Sequence, residues 1–478
     1  MQKITRFNKI SLVILIIGVL VFSNGCAKGG TQAAKDAYKP VTLVYWSVFN
    51  DQDALSDLLT AYQQARPNVT IEYRKFRYDE YDQQLLEALA EDRGPDVFSV
   101  RNTMMQQEKA KLLPLPSQTI IPVKSIEGTI KKEEVISMVP RPSITPLAVR
   151  QKFLDVVGRD VIMPYDIGTP DNPKAVERVW GLPLNIDALV LYYNKDLLSN
   201  AGIVEPPANW TDFQAQAKKI TKIDQATGNI LISGAAIGAA GNVSRYFDIL
   251  SLLMMQNLAP MLDDNGNASF DKMPPQLAGA SKVPGQGALE YYTQFASPLF
   301  EGYSWNAKMP NSLDAFMNGK AAYYFGYSYD RATIRARAPK LNYAVAPVPQ
   351  ISSQQKVNYA NYWVEAVSNK TKFRDYAWDF VQFIADEKNV AAYLNKNKKP
   401  TALRSTKLIN EELADPDLLA FADELLTARS WYRGYNVAGA EKIFADMINS
   451  LISGAEPDAS KALKQAAERI NLIIKRKQ

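Results

Sequence analysis

The stretch Val41-Thr-Leu-Val-Tyr-Trp46 is apolar and rich in β-branched and aromatic residues, which predicts a buried strand. A helical pattern of apolar residues follows from Leu55 to Tyr62, and residues 69–76 form a second predicted strand. Another helical pattern between Tyr81 and Leu89 leads to a third strand at residues 96–100. Strands that alternate with helices at this spacing predict a parallel sheet covered by helices, and therefore an α/β fold.

The amino-terminal residues have the pattern of an export signal. Lys3, Arg6 and Lys9 precede an apolar run over residues 10–22, which is broken only by a serine and a glycine. As a helix this run would be about 20 Å long, which is too short to cross a bilayer. We therefore expect residues 1–25 to be a signal peptide.

The single cysteine of the chain stands directly after this run, in Ser23-Asn-Gly-Cys26. One cysteine cannot form an internal disulfide. The position of Cys26 resembles the bacterial lipobox, in which the thiol is lipidated and the leader is cut before it, although Ser23 stands where leucine is preferred. Residues 26–40 are then a flexible, lipid-anchored linker. An ordinary cleavable signal with an incidental thiol, or an uncleaved anchor, is the alternative.

The composition predicts two domains and excludes several classes of function. Nearly half of the residues are apolar. The length of 478 residues is more than a single hydrophobic core usually serves. Three of the 55 lysines and arginines lie in the leader and the acids number 50, so the remainder is close to neutral, which argues against a nucleic-acid binder. The absence of histidine excludes Ser-His-Asp triads and the HExxH zinc motif, and we expect neither a metal nor a cofactor.

Six further segments stand out along the chain: Gly94-Pro-Asp-Val97, Trp180-Gly-Leu-Pro-Leu-Asn-Ile-Asp-Ala-Leu-Val-Leu-Tyr-Tyr-Asn-Lys-Asp-Leu-Leu198, Pro206-Pro-Ala-Asn-Trp-Thr-Asp-Phe213, Phe316-Met-Asn-Gly-Lys-Ala-Ala-Tyr-Tyr-Phe-Gly326, Tyr343-Ala-Val-Ala-Pro-Val-Pro349 and Tyr376-Ala-Trp-Asp-Phe-Val-Gln-Phe383. Each of them is common when taken singly. In this order and at these intervals, the set resembles family 1 of the extracellular solute-binding proteins, the maltose-binding-protein-like group of sugar-binding lipoproteins that serve ABC importers.

The resemblance implies a two-lobed, type II periplasmic-binding-protein-like fold, in which hinge strands join two α/β lobes and the ligand lies in the cleft. One lobe would comprise residues 40–186 plus 344–371, and the other residues 187–343 plus 372–478. A ligand that contacts both lobes favours the closed form, which the importer can sense. The implied function is that of a substrate-binding lipoprotein, not an enzyme. It would capture a small polar solute such as a sugar or oligosaccharide and deliver it to the permease subunits of an ABC transporter. It would be anchored to the cell membrane by its lipid, facing the extracellular or periplasmic side.

A sugar has apolar C–H faces and hydroxyl edges, so its site needs aromatic side chains together with carboxylates, amides or arginines. Such residues stand side by side at the predicted strand ends, at the two crossings between lobes and in late loops. The candidate ligand-binding residues are Trp46, Asn50, Asp51, Asn185, Asp187, Tyr327, Tyr329, Trp363, Glu365, Arg404 and Trp431. For each aromatic residue the alternative is packing in a core, and for Arg404 it is a surface position. For Asp187 the alternative is a role as a cap or tether of the hinge.

Two other functions remain possible at this level. A secreted glycosidase needs two acids about 5 to 10 Å apart, and Asp51, Asp187 and Glu365 could converge in a cleft. The same scaffold could also serve as a cell-surface adhesin, since a fold alone does not settle function.

Overall fold

The computed structural model describes residues 31–129, 131–169, 172–416 and 418–475. Its β-strands are β1 (Val41–Ser47), β2 (Val69–Lys75), β3 (Val97–Arg101), β4 (Gln118–Glu127), β5 (Glu133–Pro142), β6 (Ile162–Asp166), β7 (Ala175–Val179), β8 (Val190–Asn194), β9 (Lys222–Ile223), β10 (Ile230–Ala235), β11 (Ala321–Gly326), β12 (Tyr343–Ala346), β13 (Asn358–Tyr359), β14 (Trp363–Val367) and β15 (Ala428–Arg429). Its α-helices are α1 (Gln32–Ala37), α2 (Gln52–Ala65), α3 (Tyr78–Ala90), α4 (Met105–Glu108), α5 (Pro146–Lys152), α6 (Asp155–Val161), α7 (Lys195–Asn200), α8 (Trp210–Ile220), α9 (Tyr246–Gln256), α10 (Pro284–Gln294), α11 (Ser312–Met317), α12 (Asp330–Arg337), α13 (Arg374–Ala385), α14 (Glu387–Asn397), α15 (Thr406–Leu413), α16 (Leu419–Ala422), α17 (Val437–Ile452) and α18 (Ala459–Ile474).

The first sheet has the strand order β14-β3-β1-β2. Strand β1 is parallel to both β2 and β3, while β14 runs antiparallel to β3 at the edge. The apolar residues that predicted the first helix, Leu55, Leu58 and Tyr62, are buried on one face of α2. The predicted strand–helix alternation over residues 41–100 is therefore confirmed.

The second sheet has the order β12-β8-β11-β10-β9, with β8 antiparallel to both of its neighbours. The extended segment that begins at Trp180 connects the two sheets. The N–H of Leu182 donates to the carbonyl of Glu365 in β14 at 3.0 Å, and the chain then continues into β8. This extended segment places two of its polar residues, Asn185 and Asp187, between the two sheets.

Helices α13 and α14 pack against α2, and α2 packs against β2 of the first sheet. The ring of Phe380 in α13 lies 5.7 Å from that of Tyr45 and 5.0 Å from that of Tyr62. The sequence-based division placed residues 372–478 in the second lobe, whereas α13 and α14 contact α2 beside the first sheet. Strand β12 likewise pairs with β8 of the second sheet, whereas residues 344–371 were assigned to the first lobe. An apolar face packs where a complementary surface lies, and the order of elements along the chain does not specify that surface.

Of the described residues, 31–39 and 121–129 together with 131–139 form a small compact unit, and the rest of the chain forms a second, larger unit. In this smaller unit, residues 32–37 form α1, and the hydroxyl of Thr31 accepts a hydrogen bond from the N–H of Ala34 at 3.2 Å. These residues fall within the expected linker, and they are helical because a threonine cap followed by three alanines in six residues favours a helix. The predicted signal peptide and Cys26 lie outside the described residues. Across the described ranges, no helix has the length and apolar character needed to cross a membrane.

Candidate functional site

The ends of β1 and β11 and the start of β14 contribute side chains to one small cavity. Six of the predicted site residues line it, namely Asn50, Asn185, Asp187, Tyr329, Trp363 and Glu365. The other lining residues are Ser47, Phe49, Ser328, Asn361, Tyr362 and Lys399. The cavity has a volume of about 30 Å³, which is room for about two water molecules.

Asp187 lies on the segment between the two sheets and contributes a buried carboxylate to this cavity. Its Oδ2 accepts a hydrogen bond from the N–H of Ser328 at 2.8 Å and another from the Ser328 hydroxyl at 2.6 Å. Its Oδ1 is buried and has no hydrogen-bond partner among the described residues. Burial raises the pKa of Asp187 to about 7. The free oxygen can accept a hydrogen bond from a guest molecule.

Glu365 contributes a second carboxyl group to the cavity, and Lys399 contributes an ammonium group. The hydroxyl of Ser99 donates to Oε2 of Glu365 at 2.7 Å, and burial raises the pKa of Glu365 to about 7. The ammonium of Lys399 donates to Oδ1 of Asn50 at 2.8 Å. Burial lowers the pKa of Lys399 to about 8, although Asp187 and Glu365 both oppose this shift. The cavity therefore offers two carboxyl groups that are partly protonated near neutral pH, and one cation.

Aromatic rings from both sheets touch at the same place. The ring of Phe49, which follows β1, is stacked on that of Tyr329, which follows β11, with centroids 4.8 Å apart and an interplanar angle of 9°. The ring of Trp363 meets Phe49 edge-on at 5.8 Å. These rings provide flat apolar surfaces next to the hydrogen-bonding groups.

Among the six lining residues that were not predicted, Phe49 contributes a stacked ring to the cavity and Lys399 contributes a cation. Phe49 had a detectable signal, because it is an aromatic residue directly before Asn50 at the end of a predicted strand. Lys399 had none, since it lies far along the chain from the other residues and reaches the cavity only through the end of α14.

Three predicted aromatic residues lie in cores instead of in the cavity. The ring of Trp46 packs against Phe76 at 4.4 Å. Tyr327 is fully buried, with its hydroxyl donating to Asp248 at 2.6 Å, and the indole N–H of Trp431 donates to Ser251 at 2.9 Å. These are the contacts of side chains packed in a core, and the hydroxyl of Tyr327 and the indole N–H of Trp431 find their hydrogen-bond partners there.

Asp51 and Arg404 also lie outside the cavity. The carboxylate of Asp51 is exposed and forms an ion pair with Lys75 at 2.7 Å. Arg404 lines a separate cavity of about 600 Å³, where its Nε donates to the carbonyl of Phe153 at 2.8 Å and its guanidinium pairs with Asp155. Both charged side chains are thus partnered by neighbours on the surface and not by the residues around Asp187.

The raised pKa of Asp187 predicts that stability depends on pH. Between about pH 4 and pH 7, the folded chain retains a proton on Asp187 that the unfolded chain has released, so the free energy of unfolding falls as pH rises. In an Asp187→Asn variant, the decrease in the free energy of unfolding over this pH range should be smaller by on the order of 2 kcal/mol. Urea titrations at pH 5 and pH 7.5 measure it. An Asp51→Asn variant, altered at an exposed carboxylate, is the control and should follow the wild type, whereas equal pH dependence in all three proteins would contradict the prediction.

Comparison with known proteins identifies the family. The family model described as bacterial extracellular solute-binding protein matches residues 46–391. A putative binding protein of Brucella abortus is 26% identical over 309 residues, which cover 63% of this chain and 69% of that protein. The maltodextrin-binding protein MdxE of Bacillus subtilis is 27% identical over 49% of this chain and 53% of its own length.

Solved structures show the same fold. The crystal structure of the cyclic α-maltosyl-1,6-maltose binding protein from Arthrobacter globiformis matches with a TM-score of 0.66 and 18% identity, covering 91% of this chain and 98% of that one. This likeness confirms the predicted type II, two-lobed α/β fold. By its sequence match over most of its length and by this fold, the chain belongs to the family of bacterial extracellular solute-binding proteins.

Proposed function

We propose that this protein is the substrate-binding lipoprotein of an ABC importer and that it captures an uncharged sugar in the cavity around Asp187. The observation that carries the proposal is the buried, unpartnered Oδ1 of Asp187 beside the stacked rings of Phe49 and Tyr329. Sugar C–H faces pack on aromatic rings, and a sugar hydroxyl supplies the donor that Oδ1 lacks. The maltodextrin-binding protein MdxE and the structurally similar cyclic α-maltosyl-1,6-maltose binding protein support this ligand class.

The charges of the cavity favour a neutral ligand over a phosphorylated one. Asp187 and Glu365 face a single cation, Lys399. A phosphate would add negative charge beside two buried carboxyl groups, and like charges in a buried site are mutually destabilising. Phosphate sites are built from arginine, lysine and N–H groups, and Lys399 already donates to Asn50.

Entry of a sugar requires the two stacked rings to separate. A cavity of about 30 Å³ is far smaller than the roughly 300–1,000 Å³ of typical small-molecule sites. Phe49 follows a strand of the first sheet and Tyr329 follows a strand of the second, so separating them moves the sheets apart. A hinge motion of this kind is the two-state element that a permease could read.

Membership of an extracellular family indicates that the chain is exported. We infer further that the amino-terminal leader is removed and that Cys26 carries the lipid that holds the protein at the membrane, facing the permease. Mass spectrometry of the protein extracted from membranes tests this, with a Cys26→Ser variant as the control. A chain that still begins at Met1, or one with an unmodified thiol, would refute the lipid anchor.

The test of the main proposal is isothermal titration with neutral sugars and with glycerol 3-phosphate. We expect saturable binding of at least one sugar, a rise in the melting temperature with sugar concentration by mass action, and no binding of the phosphorylated polyol. Tight binding of glycerol 3-phosphate alone would overturn the proposal. The proposal includes binding without catalysis, although Asp187 and Glu365 line one cavity, as the two acids of a glycosidase do. New reducing ends after incubation with oligosaccharides would favour that second function.

A further inference from the structure

The two-stranded sheet of β4 and β5, in the smaller compact unit, has one face with apolar side chains in water. Lys124 of β4 forms an ion pair with Glu134 of β5 at 2.7 Å, so these two side chains project from the same face. Because alternate residues of a strand share a face, Ile126 and Met138 lie on it as well. They are 68% and 40% exposed. Exposed apolar residues grouped on one face, here named the hairpin face, indicate a contact surface.

Helix α1 belongs to the same unit and ends near the hairpin face. The pKa of Lys124 is raised by its hydrogen bond to Glu134 and also by the nearby Tyr38, which caps the end of α1. Ala34 within α1 is fully buried, so this short helix is packed and not free in water. The position of α1 therefore fixes where the hairpin face lies relative to the residues that precede the helix.

The chain before α1 is too short to let this unit move far from a lipid anchor. Cys26, the residue proposed to carry the lipid, stands five positions before Thr31, which caps the start of α1. Five residues span at most about 18 Å when fully extended. A lipid inserted in the bilayer would therefore keep α1, and the hairpin face near its end, close to the membrane surface.

The charges of the small unit suit an anionic lipid surface. Lys35 of α1 and Lys132, which directly precedes β5, are exposed, and neither forms an ion pair within the described residues. Most acids of the unit are paired with lysines, in Glu134–Lys124, Glu133–Lys131 and Asp36–Lys39. Glu127 is the remaining acid, so the two unpaired lysines give the unit a small positive excess. Exposed apolar side chains next to lysines bind to the surface of anionic bilayers.

We propose that the hairpin face, through Ile126 and Met138, rests on the anionic lipid surface that holds the anchor. The inference rests on the lipid anchor of the proposed function, because the lipid brings the face to the membrane. Since the lipid keeps the face close to the bilayer, this second contact is intramolecular and needs little affinity of its own. Two points of contact fix the orientation of the small unit on the membrane, which a flexible tether alone does not.

The test is the fluorescence of the full-length, lipidated protein in vesicles of phosphatidylglycerol and phosphatidylethanolamine that contain no permease. Cys26 is the only cysteine of the chain, so after its acylation a thiol introduced elsewhere is the single site for an environment-sensitive dye. For Ile126→Cys and Met138→Cys, we expect nitroxide-labelled lipid to quench the dye about twofold more than for Ser137→Cys. Ser137 is the matched control, because it is also exposed and adjoins Met138 in β5 but lies on the opposite face. Adding Lys35→Gln and Lys132→Gln should reduce the quenching at Ile126→Cys by about half.

The possible failures are distinguishable. Equal quenching at the three labelled positions, or none at any of them, would overturn the membrane contact. A blue shift of the dye without quenching by the lipid would assign the hairpin face to a protein partner, such as a second copy of the chain, and would overturn it too. Uptake of two dyes per chain would show that Cys26 is a free thiol, and the anchor and the contact would fall together. Sugar binding, measured by isothermal titration of the same variants, stands or falls independently of these results.

Discussion

Replacing Asp187 with alanine is expected to weaken sugar binding by about 100-fold. Asp187 is the buried carboxylate with one oxygen bonded to Ser328 and the other unpartnered within the described residues. A hydrogen bond from a sugar hydroxyl to this oxygen would form in a desolvated site, where bonds to charged groups contribute about 1.5–3 kcal/mol. Losing it also leaves the sugar hydroxyl without a partner, and about 2.7 kcal/mol corresponds to 100-fold. Isothermal titration of the sugar identified for the wild type measures the loss.

Two further variants separate a binding defect from a folding defect. Asp187→Asn keeps an acceptor for Ser328 and removes the charge, so it should fold and lose an intermediate part of the affinity. Asp51→Ala removes an exposed carboxylate that is paired with Lys75 and lies outside the cavity, and its affinity should stay within threefold of the wild type. Wild-type affinity in the Asp187→Ala protein would show that the site is elsewhere.

Replacing Asp379 with alanine is expected to lower the free energy of unfolding by about 3–5 kcal/mol. Asp379 of α13 accepts two hydrogen bonds from the guanidinium of Arg66, at 2.9 and 3.0 Å, and a third from the hydroxyl of Tyr62 at 3.1 Å. Only 7% of either charged side chain is exposed. Removing the carboxylate leaves a buried guanidinium without its counter-ion, at the contact between α13 and the end of α2. Urea unfolding followed by circular dichroism measures the change.

The control is another arginine–carboxylate pair with two hydrogen bonds, which lies on the surface. Arg150 and Glu177 form a bidentate guanidinium–carboxylate pair with hydrogen bonds of 2.9 and 2.7 Å. About half of each of these side chains is exposed. Glu177→Ala should therefore cost less than about 1 kcal/mol. Replacing both buried partners together, with Arg66→Met and Asp379→Leu, should cost less than Asp379→Ala alone, because no charge is then left unpaired. Equal costs for Asp379→Ala and Glu177→Ala would refute the argument from burial.

The elements of the first sheet could be predicted because their signals are local. The run Val41–Trp46 and the apolar spacing of Leu55, Leu58 and Tyr62 specify a strand and a helix through the periodicities of their backbones. The two predicted crossings between lobes pointed to Asp187 and Trp363, and both line the cavity. Strand ends are surface positions, so a polar group there is exposed or directed into a cleft.

The choice between similar neighbours could not be made in this way. Trp46 and Phe49 are aromatic residues three positions apart, yet Trp46 packs on Phe76 in a core while Phe49 lines the cavity. Tyr327 and Tyr329 stand two positions apart, and Tyr327 instead bonds to Asp248 of α9. In each case the deciding partner comes from a distant segment, which no local pattern encodes.

By itself, the sequence determined the α/β class, the strand–helix order of residues 41–100 and the family, because these depend on periodicity and on short motifs in series. Only the tertiary structure decided that α13 covers the first sheet, that Lys399 faces Asp187 and Glu365, and that Phe49 meets Tyr329. The physical reason is that burial, charge pairing and ring stacking are properties of surfaces brought together from remote parts of the chain. Those surfaces exist only after the backbone has folded.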